Sequence, residues 1–311
     1  MLARKPRRKL FVWADPLFVW LTRICASAIA LLLVVMLFEL ISDARLSIQT
    51  FGFGFLTSTD WNPVTGKFGA LSAIYGSALT TVIAMLIAVP LGLLIALFLT
   101  ELAHPKIAPI FNTAIELLAA VPSIIYGMWG LFVFAPYMAK HVQPALADTF
   151  GYLPLFSGPP MGLGVLTAGI ILSIMILPFI SSVTRDVFNM VPPVVKEAAY
   201  GIGATRWEVT RGVTLPYSLR GIVGAGFLAL GRALGETMAI TFVIGNSHRI
   251  SASLFASGNS IASSLANEFS EASDPLYLSA LIELGLVLFV ITIVFQALAQ
   301  WWLGGLSKKG L

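Results

Sequence analysis

The chain has 311 residues, of which 58% are hydrophobic and 11% are charged. Soluble domains carry about 25% charged residues. This composition, with a mean hydropathy of +0.90, therefore excludes an ordinary cytosolic protein and a disordered one. The net charge of +4 indicates cationic loops on the cytoplasmic side of a membrane, and no nucleic-acid partner is predicted. The single cysteine, Cys25, excludes an intrachain disulfide and a cysteine-based metal cluster.

Six segments are apolar enough to cross a bilayer, which takes about 20 residues in a helix. The first follows the basic stretch RKPRRK and is predicted to be an uncleaved span, because many equally apolar segments come after it. Prolines at 90, 122 and 178 are predicted to kink their spans, which neighbouring helices can tolerate. The predicted spans are 17–41, a part of 70–100, a part of 107–135, 161–184, 221–245 and 277–303.

The loops between these spans differ in positive charge. With the N-terminus inside, the inner loops and tails hold 13 Lys and Arg residues and the outer loops hold 4. Because positive residues concentrate on the cytoplasmic side, both termini are predicted to be cytoplasmic. The predicted organisation is a basic cytoplasmic tail over 1–16, a transmembrane domain over 17–303 and a short cytoplasmic tail over 304–311. A long inner loop occupies 185–216.

Part of this inner loop, residues 197–216, reads EAAYGIGATRWEVTRGVTLP. Glycines at 201 and 203 predict a turn between two short helices, the second stopping before Pro216. That second helix has charged residues on one side and Trp207 and Val209 on another. Such an element can insert an apolar ridge into a groove of a soluble partner. A helix lying on the membrane surface is the alternative that this pattern leaves open.

The loop also resembles the conserved loop of ABC importer permeases. The shared pattern is Glu-Ala-Ala, three residues, Gly, nine residues, an aliphatic residue, one more and then Leu-Pro. Here an aliphatic Val stands where the family more often has Ile. The resemblance implies a coupling helix that seats in a separate ATPase subunit. The matching residues are Glu197, Ala198, Ala199, Gly203, Val213, Leu215 and Pro216.

Several longer segments between residues 51 and 295 look like the PstC permeases of phosphate-specific ABC importers. They include LLAAVPSIIYGMWGLFVFAP, KEAAYGIGATRWEV and LGRALGETMAITFVIGN. The resemblance implies an all-α fold of six transmembrane helices of the ABC importer permease type in a bacterial inner membrane. It implies a PstA-like second permease, two PstB-like ATPases and a PstS-like phosphate-binding protein. The partner ATPase would use ATP and Mg²⁺, and this chain would bind no cofactor.

Arg232 and Glu236 lie inside the predicted fifth span. Four residues apart on a helix, they would share one face with Cβ atoms about 6 Å apart. Ionised groups in a bilayer are costly, so both should face protein or a water-filled path. A guanidinium can bind phosphate through two hydrogen bonds, and Glu236 would compete for its donors. A structural ion pair is the alternative, and the resemblance favours the substrate path.

Three further features of the predicted spans bear on this path. Thr237 and Thr241 could add hydroxyls to the path or bond carbonyls of their own helix. Gly231 and Gly235 predict close helix packing that would bring a second permease near Arg232. Glu283 could line the path or pair with a partner helix, and the sequence does not decide between them.

No G-x-x-x-x-G-K-[ST] loop is present in the sequence, so ATP hydrolysis is expected in a separate subunit and this chain is predicted not to be an enzyme. His104, His141 and His248 lack ligand spacing, so no metal site is predicted. An ABC permease for another oxyanion or small solute remains an alternative. An ion-coupled secondary transporter is less favoured because no inverted repeat is evident.

Overall fold

The computed structural model describes residues 14–308, with side chains from 15 to 305, and this part of the chain is predominantly α-helical. Most of the predicted tails, 1–16 and 304–311, lies outside the described residues. Asn62 and Lys67 form an isolated β-bridge. The α-helices in chain order are α1 Ala14–Asp43, α2 Arg45–Phe51, α3 Gly54–Thr57, α4 Leu71–Leu97, α5 Ala108–Ala119, α6 Ser123–Trp129, α7 Ala135–Tyr137, α8 Gln143–Phe150, α9 Val165–Asn189, α10 Pro193–Gly201, α11 Arg206–Val209, α12 Leu215–Leu234, α13 Met238–Thr241, α14 Ile261–Glu268 and α15 Pro275–Lys308. A 3₁₀ turn covers Pro154–Phe156, and π-helical turns cover Phe98–Leu102, Gly130–Phe134, Met138–Val142 and Thr210–Thr214.

Five helical stretches within residues 14–308 are long and apolar enough to cross a membrane, and a bent pair brings the number to six if it counts as one span. The prediction of an all-helical bundle with about six spans is therefore confirmed. The bent pair replaces the predicted third span: its two parts, Ala108–Ala119 and Ser123–Phe150, meet at 86°. Pro122 stands at this bend with an extended ψ of 138°, and a proline disfavours helical geometry in the residue before it.

The centre of the bundle is the contact between α4 and α9. A stripe of small residues runs along α4 at every fourth position, and all of its members are buried. Small side chains let two helix backbones approach closely in a membrane. A Cβ atom on Gly92 would lie 2.7 Å from the Cγ2 atom of Ile180 in α9. The stripe consists of Gly76, Thr80, Ala84, Ala88, Gly92 and Ala96.

Gly76 makes the tightest of these contacts, because a Cβ atom there would lie 1.7 Å from the carbonyl oxygen of Asn259. We expect Gly76→Ala to destabilise the protein by about 1–3 kcal/mol, since the loop carrying Asn259 must move. The matched control is Gly304→Ala in α15, where a Cβ atom meets nothing within 4 Å. Apparent melting temperatures of the purified variants test this, and an unchanged value for Gly76→Ala would contradict the packing.

The second helix of the inner loop was predicted to stop before Pro216. This prediction was wrong. The helix begins at Arg206, continues through the π-helical turn Thr210–Thr214 and merges with α12. Pro216 directly follows this π-helical turn inside the continuous helix, where it removes one backbone N–H donor. The inner loop therefore leads into the fifth span without a break.

Candidate functional site

The fifth span is interrupted inside the bundle. The helix α12 ends at Leu234, Gly235 follows as its cap, and the four-residue helix α13 starts at Met238. The prediction of one continuous helix over 221–245 was therefore wrong. Arg232 and Glu236 do not share one helix face, because the chain leaves helical geometry between them.

The position of Arg232 gives the depth of this interruption. The Cζ atom of its guanidinium lies 5.6 Å from the centre of the Phe179 ring. Phe179 is near the middle of α9, which runs from Val165 to Asn189. Arg232 therefore lies level with the middle of α9. Its side chain is exposed in this isolated chain, and among the described side chains it has no hydrogen bond or ion pair.

Glu236 is held by backbone rather than by Arg232. One of its carboxylate oxygens, Oε1, accepts a hydrogen bond from the backbone N–H of Ala239 at 3.2 Å. Arg232 stands in the last turn of the 20-residue helix α12, where the helix dipole favours a cation. Within residues 15–305, the expected competition of Glu236 for the donors of Arg232 is not formed.

The two threonines bond to the local backbone. The hydroxyl of Thr237 donates to the carbonyl oxygen of Gly235 at 3.3 Å, and that of Thr241 donates to the carbonyl oxygen of Thr237 at 2.7 Å. Both side chains are half-buried, and each hydroxyl oxygen can still accept a hydrogen bond. Their place in a substrate path stays a prediction.

One face of α12 is not covered by this chain. Ala225, Ala229 and Ala233 form its buried face, whereas Leu228 and Arg232 are exposed. Gly231 packs within the chain, because a Cβ atom there would lie 2.7 Å from Nε2 of Gln296 in α15. Gly231 therefore does not serve the predicted contact with a second permease, and the exposed Leu228–Arg232 face is the surface left for it.

Irregular backbone at this depth has a physical requirement. In a bilayer it is tolerated only where protein covers it or where it lines a water-filled cavity. The same requirement applies to the charge of Arg232. Because this chain leaves both exposed, the surface around Gly235–Thr237 must face water, a partner protein or both.

The inner loop has the predicted pair of helices separated by a glycine turn. Gly203 has a φ of +91°, a value that side chains other than glycine rarely adopt. The second helix begins with a capping box, in which Thr205 and Glu208 bond each other's backbone N–H. Large apolar side chains stand out around this turn: Val194, Ile202 and Trp207 are 73%, 88% and 66% exposed.

The residues of the conserved pattern are divided between surface and interior. Glu197, Ala198, Gly203 and Pro216 are exposed, while Ala199, Val213 and Leu215 are half-buried. The exposed members belong to the same inner loop as the apolar side chains described above. This surface is apolar enough to seat in a groove of another protein, as the first of the two predicted roles requires.

A polar cluster that the sequence did not reveal lies at the opposite end of the bundle. The carboxylate of Glu268 accepts hydrogen bonds from Nε1 of Trp61 at 2.6 Å, from the hydroxyl of Tyr277 at 2.6 Å and from Nε2 of His248 at 3.0 Å. The rings of Trp61 and His248 are stacked 5.2 Å apart. Nδ1 of His248 accepts from the amide of Asn259 at 2.8 Å.

This cluster joins segments that are far apart in sequence, so no local sequence pattern predicts it. Two of its members, Trp61 and His248, line an open cavity of about 520 Å³. Burial by itself would raise the pKa of Glu268. The hydrogen bonds from His248, Tyr277 and Trp61 outweigh it and hold that pKa below its ordinary value.

We expect Glu268→Gln to lower the stability of the protein by about 1–3 kcal/mol at neutral pH, because charge-assisted hydrogen bonds are lost. A lowered carboxyl pKa contributes stability above the ordinary value of 4.5, and this contribution disappears as the pH falls through the lowered pKa. The difference in apparent melting temperature between the wild type and Glu268→Gln should therefore shrink below about pH 4.5. A difference that grows on acidification would contradict this account.

The acidic residues of the other predicted spans have separate environments. Glu116 forms a salt bridge with Arg185 at 3.4 Å, and Glu39 is exposed. Glu283 is buried, and its Oε2 has no hydrogen-bond partner among the described residues. Within residues 14–308 no group of three or more His, Cys, Asp or Glu side chains could hold a metal ion.

Solved structures of ABC transporters share this fold. A chain of a bacterial alginate ABC transporter, in complex with an alginate-bound periplasmic protein, aligns with a TM-score of 0.60 at 17% identity, covering 93% of this chain and 96% of its own. A chain of the MetNI methionine ABC transporter in an inward-facing conformation aligns with a TM-score of 0.54 at 16% identity, covering 76% and 94%. At these identities the likeness concerns the fold alone.

Curated relatives are much closer in sequence. A phosphate transport system permease protein PstC from Mesorhizobium japonicum is 55% identical over 297 residues, which cover 94% of this chain and 91% of the relative. A protein of the same description from Pasteurella multocida is 52% identical, covering 94% and 92%. Residues 88–305 match the family described as binding-protein-dependent transport system inner membrane component. The chain therefore belongs to the family of binding-protein-dependent transport system inner membrane components.

Proposed function

We propose that this chain is the transmembrane permease subunit of an ATP-driven phosphate importer, a multi-pass protein of a bacterial inner membrane. Two relatives that match it over more than nine-tenths of its length are described as phosphate transport system permeases. The family and the apolar helices agree with a membrane transport component.

The observation that carries the proposal is the cation at mid-depth. Arg232 lies beside an interrupted helix and has no protein acceptor among the described residues. Phosphate is a hydrated anion, and a guanidinium can replace part of its water shell with two charge-assisted hydrogen bonds. A single cation held by few neighbours can bind the ion and release it again, as passage requires.

The partners follow from the family and from the uncovered surfaces. A PstA-like second permease would cover the Leu228–Arg232 face and close the path. Two PstB-like ATPases would use ATP and Mg²⁺, one of them receiving the exposed apolar side chains of the inner loop. A PstS-like protein would deliver phosphate at the opposite end. The catalytic step then lies outside this chain, which supplies the path and the coupling contact.

Alternating access would use these parts in sequence. Closure of the ATPases would move the inner loop, and α12 would move with it because the two are continuous through Thr210–Thr214. This movement would change the side of the membrane to which Arg232 is open. Lipid would contact only the apolar outer faces of the spans.

The test is uptake of labelled phosphate by the four-component complex reconstituted in vesicles. The complex should accumulate phosphate only with ATP inside and the binding protein outside, and excess sulfate should not compete. Competition by sulfate would indicate a permease for another oxyanion. Accumulation driven by an ion gradient without ATP would indicate a secondary transporter.

A further inference from the structure

A second polar junction lies at the base of the inner loop. Glu101 belongs to the π-helical turn Phe98–Leu102 that ends the second span. Its Oε1 atom lies 2.6 Å from Nζ of Lys196 in α10, and the hydroxyl of Thr214 donates to the same oxygen at 3.3 Å. One carboxylate thus contacts the second span, the inner loop and the start of the fifth span.

The junction is shielded from water. The side chains of Lys196 and Glu101 are 20% and 10% exposed, and Thr214 is fully buried. Near the same end of the bundle, Glu116 forms its longer bridge to Arg185 with a side chain that is 59% exposed. Charge pairs weaken as water surrounds them. Removing one partner of a shielded pair leaves the other charge buried and uncompensated.

The connections of the loop make this contact informative. The loop is covalently joined to α9 and α12, but Glu101, at the end of the second span, is 95 positions from Lys196 in sequence. Around Lys196, the side chains of Val194, Glu197 and Tyr200 are exposed. The Glu101–Lys196–Thr214 junction therefore gives the loop a polar attachment to the second span, which itself packs along α9.

We propose that the Glu101–Lys196–Thr214 junction is the tie that makes the second span move with the inner loop when the ATPases close. This inference rests on the proposed function, and it concerns residues that position the loop and touch no substrate. Without the tie, movement of the loop would reach α12 through the continuous helix, while the packed pair of α4 and α9, joined to the loop only through the non-helical residues 190–192, lagged behind. ATP would then be hydrolysed without a complete change of access.

The test compares Glu101→Gln, Lys196→Met and the exchanged pair Glu101→Lys with Lys196→Glu in the reconstituted complex. For each, the ATP hydrolysed per phosphate imported is measured beside co-purification of the ATPase. We expect both single variants to raise this ratio at least about fivefold, the lower end of coupling effects between sites. The exchanged pair should bring the ratio part of the way back to the wild-type value. Thr214→Val should raise the ratio, but by less than the two single charge variants do.

Glu116→Gln is the matched control, since it also removes a carboxylate from an ion pair near the loop. Its ratio should stay at the wild-type value. An unchanged ratio in an assembled Glu101→Gln or Lys196→Met complex would overturn the inference. If neither single variant assembles, the exchanged pair and Thr214→Val provide the test. The inference would then be overturned if Thr214→Val had a wild-type ratio and the exchanged pair remained uncoupled.

Failure of the proposed function gives a different result. It would appear as absence of ATP-dependent phosphate uptake by the wild-type complex itself. Failure of the present inference would leave wild-type uptake intact and the ratios of the variants unchanged. The two outcomes are read from the same set of measurements.

Discussion

Phosphate uptake is expected to fall at least ~100-fold when Arg232 is replaced by glutamine, while the complex still assembles. Each charge-assisted hydrogen bond to a guanidinium contributes about 1.5–3 kcal/mol, and two of them exceed the ~2.8 kcal/mol that a 100-fold effect requires. Glutamine keeps a polar side chain of similar reach but has neither the positive charge nor the paired donors. The measurement is labelled phosphate uptake beside co-purification of the partner subunits.

Two further variants make this result specific. Arg232→Lys keeps the positive charge but lacks the paired N–H donors of the guanidinium group, and it should retain part of the uptake. Arg45→Gln makes the same chemical change at an exposed position at the start of α2 and should leave uptake at the wild-type value. Normal uptake by Arg232→Gln would remove this residue from the path. A complex that fails to assemble would instead assign Arg232 to the contact with the second permease.

The second large effect is expected at the turn of the inner loop. Gly203→Asp should uncouple the ATPase or dissociate it, because φ at this position is +91°. A residue with a Cβ atom costs about 1–2 kcal/mol in such a conformation. A steric clash does not contribute to this effect, since a Cβ atom at Gly203 would meet nothing within 4 Å. The measurements are binding-protein-stimulated ATP hydrolysis and recovery of the ATPase with the permease.

Gly201→Asp separates backbone conformation from charge. It introduces the same carboxylate two residues earlier, at the end of α10, where φ is not positive and a Cβ atom also meets nothing within 4 Å. Coupling should survive in Gly201→Asp and fail in Gly203→Asp. Equal losses in both variants would assign the effect to the added charge, and normal coupling in Gly203→Asp would contradict the docking role of the turn.

The sequence predicted the bundle because hydropathy and loop charge are local properties that each span carries by itself. It also placed the glycine turn of the inner loop correctly, since glycine has few alternatives at a positive φ. The interruption after Leu234 was missed for a related reason. The chain is mostly apolar again from Met238 to Ile244, so the hydropathy of the span continues beyond the point where the helix is interrupted. Arg232 in the last turn of α12, with Gly235 directly after the last buried residue, Leu234, was the available signal.

Contacts between distant segments could not be predicted in this way. Glu101 and Lys196 are 95 positions apart, and neither stands in a pattern that points to the other. The cluster around Glu268 likewise depends on how the outer segments fold over one another. Even Arg232 and Glu236, only four positions apart, were assigned to each other by an assumption of helical geometry that the chain does not follow.

The interruption at Gly235–Thr237 has a further consequence for the energy of the transport cycle. Bending an intact helix within hydrocarbon would separate backbone N–H and C=O groups that no water can reach, at several kcal/mol for each group. Where the backbone hydrogen bonds of the helix already stop, the two halves of the span can rotate relative to each other without breaking further hydrogen bonds. The two halves meet in one buried cluster, to which Ala229 and Ala233 of the inner half and Ile240, Val243 and Ile244 of the outer half contribute. Each cycle of ATP hydrolysis would then need to change only the angle between the two halves.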